Sequence, residues 1–177
     1  MLLQAVACLT RQGYLLQLEV IGDGPMRSDW QALASRLHMD EYCHFRGQQT
    51  AQNVAYAMQT CHVFCLPSVR ESGGAVLLEA MACARPVIAL NFGGPAEVVN
   101  DDTGALLDLE SPRQVVQDIA IALADVIANP ASWAIRGKRG LHMIEAHYSW
   151  PAKLAAVATH YEELLSAPTH VMGRQHV

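Results

Sequence analysis

The chain has 177 residues, 51% of them apolar and 16% charged, which suits one globular domain with a real core and excludes wholesale disorder. A formal net charge of −5 offers no basic footprint for nucleic acid, so a small or locally recognised ligand is favoured over a polyanion. The start of the chain lacks a basic segment and is broken by Gln4, Thr10 and Arg11, so it does not read as a signal peptide. No run approaches the roughly 20 apolar residues of a membrane span, and a soluble domain is expected.

In chain order, helix and strand alternate. Met1 to Gln12 has helical composition and stops at Gly13, a C-cap candidate. Leu15 to Ile21 is a strand-length apolar run ended by the turn Gly22-Asp-Gly24-Pro25. Met26 to His38 is amphipathic, with Trp30, Leu33, Ala34 and Leu37 on one face. Tyr42 to Arg46 is a short strand, Asn53 to Thr60 a helix, and His62 to Leu66 a strand stopped by Pro67-Ser68. Ala75 to Cys83 is helical, Val87 to Leu90 a strand, Gly93-Gly94-Pro95 opens a short helix, and Gly104 to Leu107 is the last strand.

Beyond Ser111 three helices follow, Pro112–Ala128, Ala131–His147 and Pro151–Leu165. Ser149 is the N-cap and Pro151 the first turn of the third. Residues 167–177 are expected to be a disordered tail. Such βα alternation predicts a parallel sheet with helices on both faces, an α/β Rossmann-like fold. Ligands of such sheets sit at the carboxyl ends of the strands, which directs attention to the loops after Ile21, Arg46, Leu66 and Leu90.

Neither cysteine nor histidine spacing suggests a metal. Cys8, Cys43, Cys61, Cys65 and Cys83 form no C-x-x-C pair and read as reduced thiols inside apolar segments. His142 and His147 flank Glu145 at a spacing of five, which turns the two rings roughly 140° apart on a helix and fails the metalloprotease geometry.

The loop after Leu66 carries the chemistry. It reads Pro67-Ser-Val-Arg-Glu71-Ser-Gly73-Gly74-Ala-Val-Leu-Leu-Glu79. Glycines at a helix start let a ligand approach the backbone, and the unpaired N–H groups of the first turn favour a phosphate. Glu71 precedes that turn. Glu79 follows about two turns later, displaced by roughly 80° beyond whole turns. The two carboxylates can therefore serve opposite ends of one ligand whose middle is a diphosphate. Two glutamates with seven residues between them are a weak signal alone; the Gly-Gly after a strand ending in Pro-Ser is more specific.

Pro67-Ser68, the pair Glu71 and Glu79, Leu78-Glu-Ala-Met-Ala82, Arg85-Pro-Val-Ile-Ala89 and Gly93-Gly-Pro-Ala-Glu-Val-Val99 together resemble family-4 glycosyltransferases. The likeness extends upstream to Val20–Pro25 and His44–Gly47, and downstream to Asp102–Leu107 and Tyr148-Ser-Trp150, in one unbroken order from about Leu2 to Leu165. The resemblance implies the second, donor-binding domain of the two-domain GT-B fold, spanning residues 1–166. It also implies sugar transfer from a nucleoside-diphosphate sugar, with retention at the anomeric carbon, no metal and no other cofactor.

Carried over residue by residue, Glu71 is the catalytic carboxylate on the donor sugar. Ser72, Gly73 and Gly74 offer amides to sugar and diphosphate, Ala75 and Val76 cap the phosphates, and Glu79 holds the ribose hydroxyls. Arg46, Gly47, Gln48 and Gln49 border the base, with Gly22 and Gly24 lining the same cleft. The implied partners are the donor, a glycan or lipid-linked acceptor and an N-terminal acceptor-binding domain, with no nucleic acid. The expected location is cytoplasmic, peripheral to the inner membrane face at full length, in cell-surface polysaccharide or glycolipid synthesis.

Two departures from the pattern stand out. Ala84 occupies a turn position where the family usually has Gly, at a cost of roughly 1 kcal/mol if that residue needs positive φ. The family's domain also opens with a strand and two cations that precede the first helix, and Met1 falls inside that helix. In a 3-2-1-4-5-6 sheet this removes the central strand, and the expectation is an N-terminally truncated, inactive donor half. Two other readings are a non-catalytic nucleotide-sugar-binding module and a nucleoside-diphosphate-sugar epimerase of the same fold; the glycine-flanked glutamate pair favours the transferase. A nicotinamide dehydrogenase is disfavoured because Gly22-Asp-Gly24-Pro25 stops short of G-x-G-x-x-G.

Overall fold

A computed structural model describes residues 1–166, so the expected tail at 167–177 lies outside the described residues. Five parallel strands, β1 (Leu18–Ile21), β2 (Cys43–Gly47), β3 (Phe64–Leu66), β4 (Val87–Leu90) and β5 (Gly104–Leu107), alternate with helices α1 (Leu2–Arg11), α2 (Arg27–Arg36), α3 (Ala51–Thr60), α4 (Ala75–Ala82) and α5 (Gly94–Val98). Helix α6 (Pro112–Ala128), α7 (Pro130–Met143), a π-helical turn (Ile144–Tyr148) and α8 (Trp150–Ser166) complete the described chain. The α/β Rossmann-like expectation is met.

Strand β4 organises the packing. All four of its residues are buried, and they alternate between two cores. Ile88 and Leu90 join α1 and α6 residues such as Val6, Leu9, Val115 and Ile119 on one face. Val87 and Ala89 join Leu77, Ala80 and Met81 of α4 on the other. The period of two that places successive side chains on opposite faces thus gives each helix layer its own half of the strand. β3 and β5 follow the same alternation, with Cys65, Ala105 and Leu107 on the α1 side and Phe64, Leu66 and Leu106 on the α4 side. Burial pushes the Cys65 thiol up to about 12, which marks it as packing material.

The strands form two ladders, β1-β2 and β3-β4-β5, with no ladder joining β1 to β3. Strands β1 and β3 are only partly buried, whereas β4, paired on both sides, is closed to solvent.

Several boundaries differ from the sequence expectation for identifiable reasons. The first strand begins at Leu18 rather than Leu15, because the exit from α1 uses the next residues. Gly13 N–H bonds to Thr10 O and Tyr14 N–H to Leu9 O, with Gly13 at φ +90°. This places Leu15 in solvent, 90% exposed. Helix α2 ends at Arg36 in the same motif, with His38 N–H on Ser35 O, Met39 N–H on Ala34 O and His38 at φ 58°. Of its expected apolar face only Ala34 is buried, and Trp30 remains 48% exposed.

Helix α3 starts two residues early because Thr50 Oγ1 caps it by accepting from Asn53 N–H. The long helix expected to reach His147 loosens into the π-helical turn after Met143, and Ser149 then caps α8 by accepting from Ala152 N–H. Helix α8 buries none of its residues and exposes Trp150, Leu154, Val157, Tyr161 and Leu164. No single helix among the described residues is long and apolar enough to cross a membrane.

Ala84 does adopt the positive φ on which its expected cost depends. Its N–H bonds to Met81 O and Arg85 N–H to Ala80 O, so Ala84 holds the left-handed position of the α4 terminus at φ 55°. A Cβ is disfavoured there. Ala84→Gly is expected to raise the unfolding free energy by about 1 kcal/mol, read as a higher urea midpoint at unchanged slope; a lower midpoint would count against it.

Candidate functional site

The expected ligand-binding residues lie at the carboxyl ends of the strands, in two groups. The first joins the ends of β1 and β2. Gly22 N–H donates to Gly47 O at 2.9 Å, and a register shift after Val20 pairs Ile21 with Gly47. Arg27, at the start of α2, pairs with Asp23 at 3.0 Å and donates to Phe45 O at 3.3 Å. Its guanidinium passes so close over Gly47, at φ +68°, that a Cβ there would meet Nη1 at 2.7 Å. Gly47 thus lies against a cation that the sequence reading did not single out.

Arg46 projects from β2 onto Glu19 of β1, with Nη2 to Oε1 at 2.6 Å, so its charge is paired across the strands. Gln49 folds back on the turn, its Nε2 donating to Arg46 O and its Oε1 accepting from Asn53 Nδ2. Gln48 makes no side-chain hydrogen bond among those of the described residues.

The second group is the loop between β3 and α4. Helix α4 is capped by Gly74 in the left-handed conformation, φ 63°, which a residue without Cβ accepts readily. The amides of Ala75 and Val76, first in the helix, meet no side-chain cap. They are the unpaired N–H groups that every helix start leaves, and they carry its positive partial charge. Leu77 N–H closes back on Gly74 O at 2.8 Å.

Glu71 bends onto this turn. Its Oε1 accepts from Gly74 N–H at 3.0 Å and from Gly73 N–H at 3.2 Å. Those two amides, Gly74 first, hold the carboxyl below the usual carboxylate range. Ser72 is exposed beside it. Glu79 stands on the exposed side of α4 and makes no hydrogen bond or ion pair among the described residues. A fixed, ionised carboxylate therefore sits beside two open amides at a helix start, with a second, uncommitted carboxylate further along the helix.

No hydrogen bond among the described residues links the two groups, which lie on the two separate ladders. Two concavities lie away from the Glu71 loop. One of about 590 Å³ lies between β5, α6 and α7, with Asp118, Asp125, Trp133 and Arg136 in its wall. Another of about 420 Å³ lies between α2 and β2 and includes Arg46. Neither contains any residue of the Glu71–Val76 stretch. Among the described residues no cluster of three or more His, Cys, Asp or Glu side chains is placed to hold a metal. The sequence reading pointed to the loop after Leu90 without assigning its residues; there Gly93 and Gly94 press against the backbone of residues 71–73.

Comparisons with known proteins identify the family. Residues 1–139 match the family model described as glycosyl transferases group 1. The chain is 33% identical over 175 residues to D-inositol 3-phosphate glycosyltransferase of Saccharomonospora viridis, covering 94% of this chain and 40% of that protein. It is 32% identical over 174 residues to the GDP-mannose-dependent alpha-(1-6)-phosphatidylinositol monomannoside mannosyltransferase of Mycolicibacterium smegmatis, covering 94% of this chain and 44% of that one. The chain thus spans about two fifths of the length of the curated relatives it matches.

Among solved structures, sucrose-phosphate synthase of Thermosynechococcus elongatus superposes with a TM-score of 0.75 at 27% identity, over 93% of this chain and 42% of that one. HepE of Anabaena, solved in complex with UDP-glucose, shares the fold with a TM-score of 0.75 at 22% identity, over 93% of this chain and 44% of that one. With its parallel strands, its glycine-capped α4 and its collinear motifs, the chain belongs to the group 1 glycosyl transferases.

Proposed function

We propose that the chain is the donor-binding half of a retaining glycosyltransferase that moves a sugar from a nucleoside-diphosphate sugar to a glycan or lipid-linked acceptor. The observation that carries this reading is the α4 start, where an ionised Glu71 lies beside the open amides of Ala75 and Val76. As the bond to the diphosphate breaks, the anomeric carbon gains positive charge and the departing oxygens gain negative charge. A carboxylate near the first and helix-start N–H groups near the second stabilise both.

Ser72, Gly73 and Gly74 border the sugar, Ala75 and Val76 meet the phosphates, and Glu79 accepts from the ribose hydroxyls. Gly22, Gly24 and the stretch Arg46–Gln49 enclose the base. No metal or other cofactor enters this reading. HepE supports the donor class, since its structure was solved with UDP-glucose. The pneumococcal transferase GtfA, whose structure holds UDP and GlcNAc, has the same fold with a TM-score of 0.77.

The acceptor is assigned to a further, N-terminal domain, and the chain alone is assigned no turnover. Two features support that division. The chain spans about two fifths of its relatives. The stripe Trp150, Leu154, Val157, Tyr161 and Leu164 repeats at alternating steps of four and three along α8 and is exposed throughout. A cytoplasmic enzyme working at the inner membrane face on cell-surface polysaccharide or glycolipid fits the lipid acceptors named for such relatives.

Joined to its acceptor half and assayed with UDP-, GDP- and ADP-sugars, the protein is expected to transfer one of them; failure with all would sink the reading. In that enzyme Glu71→Ala should lower kcat by about 100-fold or more with donor KM changed far less, and an equal loss in both would leave only a binding role. Glu79→Ala should raise donor KM by about ten-fold at nearly constant kcat, and an unchanged KM removes the ribose assignment.

Because Glu71 is a stronger acid folded than unfolded, its contribution to stability is present above the unfolded value and fades as pH falls through the folded one. The stability difference between wild type and Glu71→Gln should therefore be flat at neutral pH and shrink only in acid. A difference that grows on acidification contradicts the assignment.

A further inference from the structure

We propose that the Gly93-Gly94 turn after β4 is a positioning element for Glu71, holding the donor loop from behind so that one carboxylate oxygen is fixed and the other faces the donor sugar. This rests on the reading of Glu71 as the group that meets that sugar. The two residues come from a different strand and a different loop, 22 positions along the chain, and touch no ligand in that reading.

The contact is between backbones. A Cβ built on Gly93 would lie 2.6 Å from the carbonyl oxygen of Glu71, and one on Gly94 would lie 2.6 Å from that of Ser72 and 2.8 Å from Gly73 Cα. None of these atoms can rotate away, as the end of a side chain could. Gly93 also holds φ 61°, a conformation that residues with a Cβ rarely adopt. Helix α5 extends the support, since Pro95 N and the Val98 side chain lie 3.5–3.6 Å from the Cβ position of Gly74. Pro95 and Val98 are themselves buried. By contrast, a Cβ on Gly73 would meet nothing within 4 Å. The loop is therefore tight on the side that faces α5 and open on the side offered to a ligand.

That asymmetry has a chemical consequence. The carbonyl groups of Glu71 and Ser72 rest on the glycine turn, and the amides of Gly73 and Gly74 point to Glu71 Oε1 at 3.2 and 3.0 Å. The bidentate pair of amides commits Oε1, while Oε2 makes no hydrogen bond among the described residues. A Cβ at Gly94 would push on the Ser72–Gly73 peptide, which lies between Glu71 and its two donors, and so shift the amides relative to Oε1. Glu71 would then lose its aim before it lost its place in the chain.

The test is an NMR titration of the Glu71 carboxyl carbon in the chain, free of any ligand, in wild type, Gly94→Ala and Gly73→Ala. The Glu71 midpoint is expected below the ordinary carboxylate range in wild type and in Gly73→Ala, and displaced upward in Gly94→Ala. A folded Gly94→Ala with the wild-type midpoint overturns the proposal. If Gly94→Ala does not fold, the wild-type spectra decide. The amide resonances of Gly93 and Gly94 should shift with the same midpoint as those of Gly73 and Gly74, and silence at 93 and 94 overturns the proposal.

In the enzyme joined to its acceptor half, Gly94→Ala should lower kcat by about ten-fold with donor KM within about two-fold, the mark of lost aim rather than lost binding. A displaced midpoint in a protein that takes no nucleoside-diphosphate sugar would sink the functional reading and leave the positioning contact standing. Donor turnover with an undisplaced midpoint would do the reverse.

Discussion

The burial of β4 on both faces is the constraint on which the site depends. Val87 and Ala89 lock α4 to the sheet on one side, while Ile88 and Leu90 lock α1 and α6 on the other. Removing such a strand from water by both faces leaves its ends as the only places where the chain can present polar groups. β3 runs parallel beside it, so the loops leaving β3 and β4 emerge at the same edge. One loop carries Glu71 and the glycine-capped start of α4. The other carries Gly93 and Gly94. Their contact follows from the strand register, in which Leu66 stands opposite Ala89.

The loop between β3 and α4 is a compromise between rigidity and openness. Its carbonyls are held by a neighbouring turn, two of its amides by Glu71, and two more amides are left without a side-chain cap. An amide left open at a solvent-exposed helix start costs little, since water satisfies it, and it is ready for an anion. The same region therefore preorganises the carboxylate and keeps an anion site free. The strain stored nearby is small and local. Ala84 at φ 55° sits at the far end of α4, where it weakens the terminus without touching the ligand face.

Much of the site could be read from local pattern. The strand stop at Pro67-Ser68, the two glycines, the helix that follows and the seven-residue interval between Glu71 and Glu79 are short-range features, and local chemistry specifies them. The cap at Ser149 was legible for the same reason. Where local pattern misled, a neighbour distant in sequence or an unusual terminus had intervened. His38 adopts a left-handed conformation that histidine seldom takes, so α2 ended before the expected residue. Trp30 lies on the apolar side of a helical wheel yet stays half exposed, because nothing in the described chain covers it. The pairing of Arg46 with Glu19 is set by the β1-β2 register and has no signal in local pattern.

The sequence by itself determined the order of strands and helices, the identity of the two carboxylates and the glycine-bearing turn between them, because periodicity, breakers and caps act over a few residues. It also determined the family, through motifs in one collinear order. Only the tertiary structure decided which distant turn lies against the Glu71 loop, that Glu71 spends one oxygen on its own backbone, and that Arg27 lies over Gly47. Those outcomes depend on parallel register and on backbone approach between segments about 20 residues apart. Side-chain identity reports such approaches only as the absence of a Cβ, and that absence has no meaning until its neighbour is known.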